Sequence, residues 1–297
     1  MQVLASDRMS GRQAGTDGEK AACEYIRGRF ESIGLKTIMK DGGYVQAFQF
    51  PGPDNSGPVT AYNVIGFVNN NAERTAIIGA HYDHIGMGGK SSRSPGRHEV
   101  HNGADDNASG VAALLELATL AVHSKSQKNN YVFAAFSGHE QGLYGAEHFV
   151  KSNVCDMTKV VCMLNLDMVG RLDVSTRRLV VAGTSTSATL EETIAGLEFE
   201  GLDVVCRDLS RGDHAPFIAA KVPTLFFTTG IHDDYHKTSD DADKINYDGL
   251  ALVVEYVRRV VETLDGKDTS PFRAAKGEPG EKQGNDGVNS SEDSTQR

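Results

Sequence analysis

Two carboxylates stand side by side in the stretch Asn102-Gly-Ala-Asp-Asp-Asn-Ala-Ser-Gly110, among small residues and just ahead of a long apolar run. Neighbouring carboxylates repel and resist ionisation unless a cation or a hydrogen-bond donor sits between them. The run that follows predicts a helix from Ala108 to about Val122. Val111, Leu114, Leu115, Leu117 and Leu120 make it apolar almost all round, the composition of a buried helix. Asp105 and Asp106 are therefore held near the interior, where a metal cation suits them. Taken alone, the stretch is equally read as Asp106 and Asn107 capping the helix.

It does not stand alone. His81 ends the apolar run Thr75 to Ala80, Glu140 follows the run Tyr131 to Phe136, Asp167 follows Val160 to Leu166, and His236 lies in the loop after Pro223 to Thr228. With Asp105 these are two histidines and three carboxylates, a ligand set for two divalent cations. Nitrogen and oxygen donors in small number favour zinc, with manganese or cobalt able to substitute, whereas magnesium asks for more oxygen.

The elements that must position these residues alternate along the chain. A capped amphipathic helix is predicted after Thr16 or Asp17, with Ala22, Tyr25, Ile26 and Phe30 on its apolar stripe and Gly34 as its stop. Strands are predicted over Tyr44 to Phe50, Thr60 to Val68, Leu179 to Ala182 and Leu202 to Cys206, besides the runs already named. Helices are expected over Ala146 to Lys151, Ala188 to Leu197, Asp213 to Ala220 and Tyr247 to Leu264. Nearly continuous apolar strands alternating with helices predict an α/β fold: a single domain with a mostly parallel or mixed central sheet covered by helices on both faces. His81, Glu140 and Asp167 fall just past strand ends, where open α/β sheets bind ligands. The loop from Gly86 to Arg97 reads as a mobile rim.

The bulk numbers set the remaining bounds. A chain of 297 residues can bury a substantial core. A net charge of −10 and the absence of a dense basic run argue against binding nucleic acid through its phosphates. No run is long enough for a transmembrane helix and the start lacks an apolar signal core. The expected location is exported, with the signal already removed, or else cytoplasmic. Cys23, Cys155, Cys162 and Cys206 have no metal-type spacing and read as buried thiols, with one pair open to oxidation in an exported protein. Residues 1–266 are expected to be the catalytic domain and residues 267–297, polar and poor in apolar residues, a disordered tail.

The motifs Ala80-His-Tyr-Asp-His84, Asn102 to Gly110, Phe136-Ser-Gly-His-Glu-Gln-Gly-Leu143, Asn165-Leu-Asp-Met-Val169 and Tyr235-His236 resemble, in order, the five metal-ligand motifs of the M28 family of zinc peptidases. The opening Leu4 to Thr16 also resembles the start of that family, so the likeness spans roughly residues 1 to 265. It implies a fold of the zinc-dependent exopeptidase type, two zinc ions and a peptide substrate. It further implies that Asp105 bridges both metals, that His81 and Asp167 complete one site, and that Glu140 and His236 complete the other. Asp83 would accept from His81 and fix its tautomer. A strained or cis peptide is implied between Asp105 and Asp106.

The reaction implied is hydrolysis of a peptide bond. The cations lower the pKa of water, polarise the carbonyl and stabilise the oxyanion, while a general base carries the proton to the leaving amine. In the family that base is the first of two adjacent glutamates, and here the position holds His139. A neutral imidazole is still a base, but its nitrogens reach different points from those of a carboxylate. The reading is an aminopeptidase, because a carboxylate-rich rim attracts a free α-amino group. The alternatives are a glutaminyl cyclase on the same scaffold, which uses one zinc, and a metal-binding protein with little or no turnover.

Other residues are weaker candidates. Asp213 and His214, in Arg211-Gly-Asp-His-Ala-Pro-Phe217, are placed in the substrate pocket or against the loop carrying His236, with helix capping by Asp213 as the ordinary alternative. Tyr235 is a further substrate-pocket candidate, and Tyr144, Met168 and Phe217 are possible walls or core. His84, His98 and His101 are expected to be exposed or hydrogen-bonded rim residues, and Arg171 to offer a cation near the site or an exposed ion pair.

Overall fold

The middle of the sheet is built from strands that are buried along their whole length, and their alternation explains why. The computed structural model describes residues 1–53, 56–94, 96–124, 128–207 and 211–274. In β3 (Thr75–His81), β4 (Asn130–Phe136) and β5 (Val160–Leu166) every residue is buried. Ile78, Phe133, Ala135 and Leu164 join one apolar cluster, while Ile77, Val132, Ala134 and Met163 join the cluster on the opposite face. A strand sends successive side chains to opposite faces, so a run apolar at every position serves a sheet covered on both sides.

The first face is covered by α1 (Asp17–Ile33), α2 (Gly110–His123), α4 (Ala188–Gly196) and α6 (Tyr247–Leu264). The second is covered by α3 (Tyr144–Lys151) and the short α5 (Ala215–Ala219), through Ala146, Phe149 and Phe217. The sheet is completed by β1 (Val45–Pro51), β2 (Pro58–Val68), β6 (Arg178–Ala182), β7 (Asp203–Arg207) and β8 (Thr224–Thr228). Among the described residues its eight strands run in the order β1-β2-β4-β3-β5-β8-β6-β7. The pairs β4/β3, β3/β5, β5/β8 and β6/β7 are parallel, and β1/β2, β2/β4 and β8/β6 are antiparallel. This is the mixed α/β sheet with helices on both faces that the alternation predicts.

α1 begins and ends where its sequence says. The Thr16 hydroxyl accepts from the Glu19 amide and Gly34 closes the helix in the left-handed region at φ 90°. The predicted start of α2 moves by two residues, because Ala104–Ser109 form a separate distorted turn and the regular helix opens at Gly110. Gly110 is required there: a Cβ would lie 2.4 Å from Asn107 Oδ1 and 2.5 Å from the Leu166 carbonyl. The acidic turn therefore packs directly on the end of β5.

Two expectations change. Residues 267–274 are not a loose continuation, since Thr269 is buried with its hydroxyl on the Val161 carbonyl and the Arg273 amide donates to the Thr186 carbonyl at 2.8 Å. The rest of the tail, 275–297, lies outside the described residues. The loop after Gly86 is fastened rather than a loose rim: His101 is buried, with Nε2 2.8 Å from the Ser92 hydroxyl and Nδ1 2.9 Å from the Glu99 carbonyl. All four cysteines are free, and Cys206 is exposed. No helix among the described residues is long and apolar enough to cross a membrane.

Candidate metal centre

The loops that leave β3, β4, β5 and β8 meet the acidic turn at one end of the sheet, and there the histidines and carboxylates gather into two groups. His84, Asp106, Glu140 and His236 form one, and His81, His139 and Asp167 form the other. The Asp106 carboxylate stands between them: Oδ1 is 3.4 Å from His81 Nε2, while Oδ2 is 3.1 Å from His236 Nε2. His81 Nε2 also lies 3.4 Å from Asp167 Oδ1, and His236 Nε2 3.4 Å from Glu140 Oε1.

The expected bridge, Asp105, is not in either group. Its Oδ1 accepts from the Gly170 amide at 2.6 Å and its Oδ2 from His232 Nε2 at 3.2 Å. The backbone is extended at Asp106 (φ −104°, ψ 91°), so adjacent side chains leave on different sides. The cis peptide is likewise one residue later than expected, between Asp106 and Asn107. The turn is fixed from both sides. Asp240, buried, accepts from the amides of Asp105 and Asp106 at 3.0 to 3.1 Å. Asn107 donates to the Leu166 carbonyl at 3.0 Å and accepts from the amides of Gly110 and Met168.

The ring tautomers are set by the backbone. His236 Nδ1 faces the Ser91 carbonyl at 3.0 Å and His81 Nδ1 faces the Asp83 carbonyl at 3.1 Å, so both donate there and present an Nε2 lone pair to the carboxylates. The His236 Nε2 atom is buried and makes no hydrogen bond despite the two nearby carboxylate oxygens. Buried lone pairs turned towards carboxylates are unfavourable by themselves and become favourable with a cation between them, so the donor set fits a divalent metal. Asp83 acts differently from expectation. Its carboxylate is 3.8 Å from His81 Nδ1 and instead accepts from the amides of His139 and Glu140, at 3.1 and 3.2 Å. It holds the loop after β4, and burial pushes its carboxyl up to about 7 even though His81 and His139 oppose this.

His139 lies in the second group, its ring stacked on His81 with centroids 3.7 Å apart. Its Nδ1 is 3.0 Å from Asp213 Oδ2. Asp213 is thus a partner of His139 rather than a substrate-pocket or loop-holding residue, and His214 is buried against Phe226 with ring centroids 4.9 Å apart. Gly138, at φ 69°, supplies the left-handed turn that swings the chain from β4 to His139. Tyr235 does line the pocket beside the metal groups and stacks on His236 at 3.9 Å, while Arg93 sits 4.7 Å over its ring. Met168 also lines it, whereas Phe217 is core and Tyr144 stacks on Phe50.

Electrostatics follows from the crowding of carboxylates. Burial opposes the charged form of every histidine here, yet Asp167 and Asp106 raise His81 to about 9, and Asp106 and Glu140 raise His236 to about 10. His139 is raised well above its ordinary value, chiefly by Asp213, against its own burial. Burial works in the other direction on Glu140, but His236 and His84 hold it well below the usual carboxylate range. Without a cation the carboxylates place protons on the imidazoles; a metal takes the place of those protons.

Several site residues escaped the sequence reading. His84 is fully buried, with Nδ1 3.2 Å from Glu140 Oε1, so it belongs to the first group and not to the rim. Its place three residues after His81 was the available signal. His232 precedes His236 by one helical turn's spacing but serves Asp105. Arg12 is buried beneath the turn and donates to four carbonyls, those of Leu4, Tyr82, Asn102 and Gly103, at 2.5 to 2.9 Å. Burial lowers its pKa to about 10, with Asp106 and Asp240 opposing, which leaves it charged at neutral pH. Arg171 pairs with Asp234 at 3.1 Å and so takes the ion-pair alternative.

Comparison with known proteins agrees with this architecture. Leupeptin-inactivating enzyme 1 of Streptomyces exfoliatus is 26% identical over 251 residues, which are 82% of this chain and 50% of that protein. This chain therefore spans about half the length of that relative. The structure of BSAP, a zinc aminopeptidase from Bacillus subtilis, superposes with a TM-score of 0.70 at 17% identity, covering 91% of this chain and 95% of that one. Glutaminyl cyclase of Porphyromonas gingivalis superposes with a TM-score of 0.72 at 21% identity, covering 88% and 94%. At these identities the likeness is one of fold. The model of peptidase family M28 matches residues 63–261, which hold every member of both metal groups, and the chain belongs to that family.

Proposed function

We propose that the chain is a zinc-dependent exopeptidase of the aminopeptidase type that holds two zinc ions across the Asp106 carboxylate. The observation that carries this reading is one carboxylate whose two oxygens face separate imidazole and carboxylate groups. Asp106, His81 and Asp167 would hold one ion, and Asp106, Glu140 and His236 the other. Zinc is supported by nitrogen and oxygen donors in this number and by the zinc aminopeptidase of like fold. When bound, such ions polarise the scissile carbonyl, acidify water and stabilise the oxyanion.

This chain's own residues then have distinct tasks. His139 lines the pocket and is the candidate proton acceptor. With Nδ1 committed to Asp213, its Nε2 is the atom left to take a proton, and Asp213 fixes the ring. The amino-terminal cut is supported by the likeness of fold to a zinc aminopeptidase.

A second reading, a metal-binding protein with little turnover, is favoured by one observation. His139 stands within the group of His81 and Asp167, and with Nδ1 committed to Asp213 its Nε2 cannot both ligate a metal and accept a proton. The glutaminyl cyclase alternative draws on likeness of fold alone. The test is zinc content by elemental analysis, together with hydrolysis of aminoacyl amides and dipeptides by parent, His139→Ala and His139→Glu. The reading expects close to two zinc per chain, an active parent and a loss of about 100- to 10,000-fold in His139→Ala. A silent parent made active by His139→Glu establishes the second reading instead.

A further inference from the structure

The pocket beside the metal groups, about 240 Å³, has a single guanidinium in its lining, that of Arg211. Its other ionisable lining residues are Tyr235 and four members of the metal groups, and the remaining wall is formed by residues such as Met168, Phe226, Thr228 and Ile231. The chain carries 40 acidic and 30 basic residues, and Arg27, Arg97, Arg171, Arg178, Arg258 and Arg273 all pair with carboxylates. Among the described residues Arg211 has no such partner. In so acidic a molecule, a cation lining the pocket with no carboxylate partner among the described residues keeps its charge for a ligand.

Its position is also fixed from the chain side. Asp213, two residues on, is buried and bonded to His139 at 3.0 Å. Gly212 is packed so closely that a Cβ would lie 3.0 Å from the His214 ring and 3.1 Å from Phe226. The backbone that carries Arg211 is therefore tethered on its C-terminal side beside the partner of His139. A planar guanidinium presents paired donors matched to a carboxylate.

We infer that Arg211 is a specificity-determining residue that pairs with a carboxylate on the substrate. The carboxylate is either an acidic side chain on the residue bearing the scissile carbonyl or the terminal carboxylate of a short peptide. The inference rests on the exopeptidase reading for its substrate class and on the pocket geometry for the residue.

The test uses zinc-loaded full-length parent, Arg211→Ala and Arg211→Lys, with two matched pairs: glutamyl against glutaminyl p-nitroanilide, and Leu-Gly against Leu-glycinamide. kcat/KM is measured for each, and any compound that is not turned over is titrated calorimetrically as a ligand. The parent is expected to favour the carboxylate-bearing member of one pair by about tenfold or more, roughly the effect of one charge-assisted contact. In Arg211→Ala that ratio should fall towards one, and Arg211→Lys should restore part of it. A preference in the first pair assigns an acidic side chain, and one in the second assigns the terminal carboxylate. Equal handling within both pairs, or an unchanged ratio in Arg211→Ala, overturns the assignment to Arg211. Binding preference without any turnover keeps Arg211 and removes the peptidase reading, while neither turnover nor binding removes both.

Discussion

At the scale of the residue, the centre turns on which of two adjacent carboxylates faces the imidazoles. Asp106 has both oxygens within 3.1 to 3.4 Å of ring nitrogens on opposite sides, whereas Asp105 is spent on Gly170 and His232. On the proposed two-zinc reading, Asp106→Ala should therefore abolish zinc binding at both groups, and Asp105→Ala should keep metal but lower the melting temperature. Elemental analysis beside thermal unfolding separates them. Equal zinc loss in both variants would return the bridge to Asp105. The sequence offered both carboxylates at once. Choosing between them requires the backbone angles of the turn, which neither residue's type records.

At the scale of the element, two fastenings hold the loops that carry ligands. Arg12 joins the first segment to the loop after β3 and to the acidic turn through four carbonyls. Arg12→Ala strands those carbonyls in the interior and should cost about 3 to 5 kcal/mol in urea unfolding. A loss under 1 kcal/mol would show that water replaces the guanidinium. The second fastening is Asp234, in the loop that bears His232 and His236. Burial works against its ionisation, but Lys244, Ser239 and Arg171 hold its carboxyl well below the ordinary range. A depressed carboxyl contributes stability above its unfolded pKa, near 4, and loses it as pH falls through the lower folded value. Asp234→Asn should thus lower the melting temperature at pH 7 and flatten its fall below about pH 4. Parallel curves for parent and variant across that window would rule out the contribution.

At the scale of the whole molecule, the described chain closes beyond α6. Residues 267–274 lie back on the fold through buried Thr269, the Thr189 hydroxyl on the Asp268 carbonyl at 2.8 Å and the Arg273 amide on Thr186. A chain ending after Gly266 should be less stable than one ending after Ala274 by about 1 to 3 kcal/mol, the worth of a few hydrogen bonds. Coincident unfolding curves would restore a boundary at Gly266. The sheet itself was legible beforehand, because strands buried on both faces must be apolar at every position, as β3, β4 and β5 are. The helix limits were legible too, from Thr16 and Gly34 on α1 and from the amphipathic run of α6.

The sequence by itself determined the family, the layered α/β architecture and most of the residues that gather as candidate metal ligands, because motif order and hydrophobic period are local and survive without coordinates. Tertiary structure alone decided that Asp106 rather than Asp105 stands between the groups, that His84 joins them, that Asp213 backs His139, and that Arg12 ties the loops together. Each of these is a contact between segments far apart in the chain, set by the twist of a turn or by the convergence of strand ends, and spacing along the chain carries no record of such meetings.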